Sequence, residues 1–234
     1  MKKIDINIEN IIQESVSNTL VPSKKNDQTN ESYVANVKQF KQVSELVSQK
    51  TKTTHIELYN DYVETLNRVS AQIDSTDRSN VNSKHSDFRS LKLDEAYNLN
   101  SVWLHELYFA NCFDPHSEIV MDSMAFIRLQ AEFGTFEDWQ RDFMACGLAC
   151  GQGWVVTGYH MFLRKYVNIM ISNHSQDVML GVYPIIVVDM HEHSYSRDYS
   201  NDKKSYLVAQ MRELNWDIIN ERFTRSEGLA RIVK

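Results

Sequence analysis

Residues that break regular structure are scarce in this sequence, which has seven glycines and three prolines among 234 residues and no glycine before Gly134. It also lacks an apolar run of the roughly 18 residues that a membrane-spanning helix needs. Its opening, MKKIDINIEN, lacks the unbroken apolar stretch of a signal peptide. Basic residues are not in excess, since the formal net charge is −6. These absences argue against a membrane protein, a secreted protein and a surface that binds nucleic acid directly.

Cysteine is also scarce, and its count of three is odd. Cys146 and Cys150 are four residues apart beside Gly147 and Gly151. This pattern fits small residues at a helix-packing surface better than a disulfide framework or a zinc site. We therefore expect reduced thiols and an intracellular protein.

The beginning of the chain differs in composition from the rest. Residues 17–38 are rich in Ser, Asn, Lys and Thr, which indicates a polar linker. Upstream of it, apolar residues repeat at helical spacing (Ile4, Ile8, Ile11, Ile12, Val16). This stripe either docks on its own domain or binds a partner. Because leaving it exposed would cost roughly 25 cal/mol per Å², we expect it to be covered. We predict that residues 1–40 contact a partner or a neighbouring subunit in a larger assembly.

The order of predicted elements is helices, then a short sheet, then a helix, which indicates an α+β fold. Apolar residues at helical spacing predict a long helix or helix pair from about residue 40 and further helices at 96–112, 123–133, 135–149 and 207–223. A period-two or β-branched pattern predicts strands at 167–172 and 182–188. We expect an arm and linker at 1–44, a helical hairpin domain at 45–115 and an α+β domain at 116–234.

A candidate metal site lies where the second predicted strand ends. The strand runs into Asp189, and His193 follows four residues later, so both side chains can converge on one point. A carboxylate with imidazoles suits Fe, Mn or Zn. His105, in the apolar helical segment VWLHELY, is a candidate third ligand because a buried neutral imidazole needs a hydrogen bond or a metal. The alternatives are a helix-capping Asp189 with an exposed histidine, and a core histidine that is only hydrogen-bonded.

Several ordered segments together resemble the iron/manganese superoxide dismutase family. Residues 189–195 (DMHEHSY) resemble its D-x-W-E-H-A-Y motif, and the resemblance extends over about residues 45–223. The other matching segments are AYNLNSVWLH at 96–105, FGTF at 133–136, GQGW at 151–154, DYSN at 198–201, NW at 215–216 and ERF at 221–223. The resemblance implies a helical hairpin followed by a small antiparallel three-stranded sheet with helices.

The same resemblance implies one Fe or Mn ion per subunit. Residue by residue, His105, Asp189 and His193 match three of the family's four metal ligands. Because the family bridges its two metal sites with the glutamate of this motif, the resemblance also implies a homodimer through Glu192 and His193.

Further residues match the surroundings of the family's metal. Tyr62 matches the tyrosine in the substrate channel, and Trp154 matches a wall of the metal pocket. His174 fits a branch in which a histidine replaces the usual glutamine beside the metal-bound solvent. Lys203 lies where the family often has an arginine that attracts the anionic substrate.

The sequence departs from the family pattern at several positions. The first ligand histidine should lie eight residues before Tyr62, at Thr54, whereas the sequence has His55. One residue turns a side chain by roughly 100°, so His55 is a ligand only if a local bulge of the family's helix is removed here. The family's tryptophan is His191, which puts a polar group into an apolar wall. A histidine and tyrosine pair at the gateway is replaced by Leu58 and Ser196.

Two functions follow, with a different metal chemistry as a third possibility. The first is an active, cytoplasmic superoxide dismutase in which Tyr62 and His174 orient the metal-bound solvent and Lys203 steers the anion. The second is a degenerate, non-catalytic subunit of a larger assembly such as a virion or a ribonucleoprotein, because folds persist when function is lost. Metal content distinguishes the two.

Overall fold

The computed structural model describes residues 34–112 and 114–232 of the chain. The predicted contacts of residues 1–33, including the apolar stripe, lie outside the described residues. Within the described residues, the helices are α1 (Gln49–Ser75), α2 (Asp87–Cys112), α3 (Met124–Phe133), α4 (Phe136–Ala149), α5 (Glu192–Tyr199), α6 (Lys203–Arg212) and α7 (Trp216–Ile232), and the strands are β1 (Gly153–His160), β2 (Lys165–Ser172) and β3 (Val182–Asp189). The predicted α+β fold, with a helical hairpin before a three-stranded antiparallel sheet, is confirmed.

Helices α1 and α2 form the hairpin. The hydroxyl of Ser48 accepts a hydrogen bond from the Thr51 backbone N–H at 3.3 Å and caps α1. The helix therefore begins at residue 49, later than predicted. The described residues before α1 contact the hairpin of their own chain, whereas residues 1–40 were predicted to contact a partner or a neighbouring subunit. The Lys38 N–H donates to the Tyr59 hydroxyl at 3.1 Å, and the Phe40 ring packs on Tyr59 and Phe109.

The sheet has the strand order β2-β1-β3, and both pairings are antiparallel. Strand β1 was not predicted from the sequence. As the central strand it is buried at every position, so it has no alternation of polar and apolar residues. The β1–β3 register shifts between Thr157 and Gly158, and Pro184 lies opposite Gly158 at this irregularity, where a missing N–H is tolerated.

The end of the chain contains more elements than the sequence indicated. The helix predicted over 207–223 is two helices, because the Asn215 side chain accepts the Ile218 N–H at 3.2 Å and starts α7. Helix α5 was also not predicted, and it begins directly after the segment that leaves β3. Helix α2 begins at Asp87, nine residues earlier than predicted, because its first turns are polar and weakly periodic.

The packing of these elements places the end of β3 beside the hairpin. Strand β3 contacts α2 and α7, and α1 contacts α5. The core is continuous from the hairpin to the sheet, with buried residues such as Tyr59, Phe109 and Val187 in one cluster. Among the helices that the structure describes, none has the length and apolar character to span a bilayer.

Candidate metal centre

Four side chains converge at the junction of hairpin and sheet. His55 comes from α1, His105 from α2, Asp189 from the end of β3 and His193 from the first turn of α5. One nitrogen or oxygen of each lies within 4.8 Å of the corresponding atoms of the others. The side chains of His55, His105 and Asp189 are fully buried, and that of His193 is 23% exposed.

His55, and not Thr54, is the side chain that enters this cluster. Helix α1 runs without interruption from residue 49 to residue 75. Seven residues of an α-helix turn through about 700°, which is nearly two full turns. His55 and Tyr62 therefore share one face. His55 Nε2 lies 3.0 Å from Asp189 Oδ2, whereas Thr54 is only half-buried.

His105 has a tautomer that suits a metal ligand. Its Nδ1 lies 2.6 Å from the Ser101 carbonyl oxygen, and a carbonyl only accepts, so Nδ1 carries the proton. Nε2 then has a free lone pair. Burial lowers the pKa of His105 well below its ordinary value, so the ring is neutral. Nε2 is buried without a hydrogen-bond partner in the part of the chain that the structure describes, and it lies 3.9 Å from Asp189 Oδ2.

Asp189 uses its two oxygens differently. Oδ2 faces the imidazoles, at 3.0 Å from His55 Nε2 and 3.1 Å from His193 Nε2. Oδ1 accepts from the backbone N–H and from Nδ1 of His191, at 2.8 and 2.7 Å. Burial alone would raise the pKa of Asp189, but His191 and His193 hold it well below its usual range. The group is therefore a carboxylate.

The cluster fits a transition-metal ion. Metal bonds of about 2.0–2.2 Å to nitrogen and oxygen allow two ligand atoms of one ion to be at most about 4.4 Å apart, close to the 4.8 Å limit that contains the four atoms. Three imidazoles and one carboxylate, without thiolate, suit Fe or Mn among other metals. A cation between His105 Nε2 and Asp189 Oδ2 would satisfy the unprotonated lone pair and neutralise the buried carboxylate.

His174 and Tyr62 lie beside the cluster. The Trp154 indole N–H, which can only donate, points to His174 Nδ1 at 3.0 Å. His174 therefore carries its proton on Nε2, which lies 3.2 Å from the Tyr62 hydroxyl. Burial lowers the pKa of His174 to about 3, and burial, together with Tyr97, raises the pKa of Tyr62. Both groups are neutral near pH 7.

Lys203 and Glu192 are not among the four clustered side chains. Lys203 is the first residue of α6. Its ammonium group donates to the carbonyl oxygens of Cys150, at 3.2 Å, and of Gly151. It also lies 5.7 Å from the centre of the Tyr195 ring. Glu192 is exposed at the start of α5. Lys203 is half-buried, so both residues are at least in part open to solvent.

Two contacts of the site had no signal in the sequence. Tyr97 packs edge-on against His174, with ring centres 4.8 Å apart. The Tyr206 hydroxyl donates to the Asp189 backbone oxygen at 2.8 Å and pairs with the Tyr108 hydroxyl at 3.0 Å. Each is one of many tyrosines in helical segments, so no local pattern marks it.

The fold and the cluster define an α+β protein with a candidate metal site, whose histidine and aspartate side chains come from the helical hairpin, the end of β3 and the start of α5. Comparison with known proteins agrees. Residues 124–222 match the family model for the C-terminal domain of iron/manganese superoxide dismutases. The iron superoxide dismutase of Aquifex pyrophilus is 30% identical over 184 residues, which cover 77% of this chain and 85% of that protein.

Two further relatives extend the comparison. The iron superoxide dismutase of Cupriavidus metallidurans is 32% identical over 180 residues, covering 76% of this chain and 88% of the relative. Manganese superoxide dismutase 1 of Halobacterium salinarum is 33% identical over 99 residues, covering 42% and 49% respectively. The chain belongs to the iron/manganese superoxide dismutase family.

Proposed function

We propose that this chain is a superoxide dismutase that holds one Fe or Mn ion with His55, His105, Asp189 and His193. The observation that carries the proposal is His105 Nε2, a buried lone pair that has no hydrogen-bond partner among the described residues and faces a buried carboxylate oxygen. Without a cation, this arrangement leaves an acceptor unsatisfied and a buried charge incompletely compensated, and both cost free energy. The relatives' names include both iron and manganese, so either ion is consistent with the proposal.

The bound ion would supply one-electron redox chemistry that converts two superoxide anions and two protons into oxygen and hydrogen peroxide. Side chains of this chain would hold and orient the proton donors near the ion. His174 Nε2–H donates toward the Tyr62 oxygen, because Trp154 occupies Nδ1. Tyr62 is half-buried while His174 is buried, so the pair connects the outside of the pocket with its interior. The neutral state of both groups lets them orient a solvent molecule without adding charge.

Lys203 would raise the local concentration of the anionic substrate. The protein carries a net charge of −6, which repels an anion at long range. The Lys203 ammonium is held in place by the Cys150 and Gly151 carbonyl oxygens, so it provides a positive charge of fixed position near the start of β1.

The proposed active form is a homodimer in which Glu192 of each subunit pairs with His193 of the other. The support is exposure: His193 is the only one of the four proposed ligands with an exposed fraction, and Glu192 is exposed directly before it. A charge-assisted hydrogen bond from outside would fix the orientation of the His193 ring. We also propose a cytoplasmic location for this enzyme.

Metal analysis together with an activity assay tests the proposal. Elemental analysis by inductively coupled plasma mass spectrometry should find close to one Fe or Mn ion per subunit of the full chain. The same preparation should dismutate superoxide. The matched variant His105→Gln should lose most of the metal and the activity while keeping its circular dichroism spectrum. A wild-type chain that takes up neither ion during refolding would refute the enzyme and favour a structural subunit.

A further inference from the structure

A fifth imidazole, His191, contacts the proposed ligand carboxylate. Its Nδ1 lies 2.7 Å from Asp189 Oδ1, and its backbone N–H donates to the same oxygen at 2.8 Å. Because Asp189 is ionised, Nδ1 must carry the proton of this hydrogen bond. The side chain is only 9% exposed, so the bond is shielded from water.

The position of His191 in the chain makes this contact unusual. His191 precedes α5 as its N-cap residue, with φ −72° and ψ 152°, and its side chain makes no capping hydrogen bond. Ser, Thr, Asp and Asn are the residues that normally stabilise this position through such a bond. The ring turns back toward β3 instead. A local role in the helix therefore does not account for the histidine.

The two bonds from His191 determine which oxygen of Asp189 is left for other partners. Oδ1 accepts both donors, and Oδ2 faces His55, His105 and His193. A carboxylate with one oxygen anchored twice cannot rotate its free oxygen out of the cluster without breaking both bonds.

We propose that the His191 side chain is a positioning residue for the metal centre, which holds Asp189 Oδ2 on the metal side. This inference rests on the proposed metal-binding function. The tryptophan of the resembling D-x-W-E-H motif has no nitrogen equivalent to Nδ1, so the second anchor belongs to this chain. Partners of this kind around a metal site typically contribute 10–100-fold to metal affinity.

A competing explanation is that His191 only fills space between rings. It stacks on His174, with ring centres 4.7 Å apart, and on His193, at 5.1 Å, and it meets the edge of Trp154 at 5.6 Å. Two variants separate the explanations. His191→Phe keeps a flat ring and removes the donor, whereas His191→Asn keeps an N–H at about the place of Nδ1 and removes the ring.

The test measures the Mn²⁺ affinity of the full chain by competition with a chromophoric chelator after metal removal. We expect His191→Phe to bind Mn²⁺ about 10–100-fold more weakly than wild type, and His191→Asn to stay within about threefold. His191→Trp, which restores the residue of the resembling motif, should behave like His191→Phe. If His191→Phe does not fold, the affinity of His191→Trp tests the positioning role in its place. The thermal midpoint of each metal-free variant monitors the fold.

Equal affinities of wild type and His191→Phe, or an Asn variant as weak as the Phe variant, would overturn the positioning role. The result is separable from the proposed enzyme. Wild type that binds Mn²⁺ with the expected ranking of variants but does not dismutate superoxide would refute the activity and leave His191 in its role. Wild type that binds no metal would overturn both.

Discussion

Replacing the buried His174 by glutamine should make the metal-free protein less sensitive to acid. The folded chain lowers the pKa of His174 to about 3 because the ring is buried, whereas an unfolded histidine has a pKa of about 6.5. Below pH 6.5 the unfolded chain therefore binds a proton that the folded chain does not. Since stability rises with pH wherever the unfolded state binds more protons, this group lowers the free energy of unfolding as the pH falls from about 6.5 toward 3.

The size of the effect follows from the two pKa values. The contribution is about RT ln(1 + 10^(6.5 − pH)), which is below about 0.1 kcal/mol at pH 7.5 and about 1.4 kcal/mol at pH 5.5. Glutamine has no proton to gain, and its amide oxygen can accept the Trp154 indole N–H. His174→Gln should therefore gain about 1.4 kcal/mol relative to wild type between pH 7.5 and pH 5.5.

Urea unfolding of both metal-free chains at the two pH values measures this difference. The ligand histidines are present in both chains, so their contributions cancel in the comparison. His85→Gln is the matched control, because it removes a histidine that is exposed in the folded chain. A stability difference between His174→Gln and wild type that is the same at pH 7.5 and pH 5.5 would show that His174 is not held neutral.

The remaining predictions concern the proposed ligands, the proton path, the anion path and the dimer. His55→Gln should bind less than about a tenth of the wild-type metal, whereas Thr54→Val should bind a full complement, as measured by elemental analysis; the reverse would place the first ligand at Thr54. Tyr62→Phe should keep its metal and lose roughly tenfold in dismutation rate because the hydroxyl next to His174 is gone. Lys203→Gln should lower the rate about tenfold at low salt and much less at high salt, because screening removes long-range attraction; a loss independent of salt would contradict steering. Glu192→Ala should raise the dimer dissociation constant at least about 30-fold in sedimentation equilibrium, since truncating one partner of a buried charged pair costs about 2–5 kcal/mol. An unchanged dissociation constant would show that the interface does not include Glu192.

Part of the site could be predicted because its residues lie in or directly after segments with a strong apolar pattern. A buried β-branched run stops at Asp189, and an apolar helix contains His105, which made both candidates. A helix cap and a hydrogen-bonded core histidine fit the same patterns, so the ligand set rested on the family resemblance. His55 needed more. Alignment to the family pattern indicated Thr54, but an uninterrupted helix repeats its face every 3.6 residues, and seven residues separate His55 from Tyr62. His55 was predicted as a ligand only on the condition that the family's bulge is absent, and the uninterrupted helix α1 meets that condition.

Other features depend on tertiary contacts that no local pattern encodes. Strand β1 has both faces covered, so it lacks the alternation by which half-buried strands are recognised. His191 was expected to place a polar group in an apolar wall, and the sequence did not indicate its partner. The bond to Asp189 forms because residue 191 is extended, which brings its ring back over the residue two positions earlier.

Asp189 connects these observations, because its buried charge favours the protonated form of each of the three ring ligands. Burial lowers the pKa of His55 and of His105, so these rings are neutral and do not compensate the carboxylate. His193 behaves differently: burial lowers its pKa, but the Asp189 charge outweighs this effect and raises it above the ordinary value. His193 is also the member of the cluster with an exposed fraction. Among the three ring ligands, Asp189 therefore favours the protonated form most on His193, the ligand that water reaches. Because Asp189 Oδ2 accepts from His193 Nε2 at 3.1 Å, a metal ion that binds this nitrogen must displace its proton, so metal and proton compete for one nitrogen beside the proposed dimer contact.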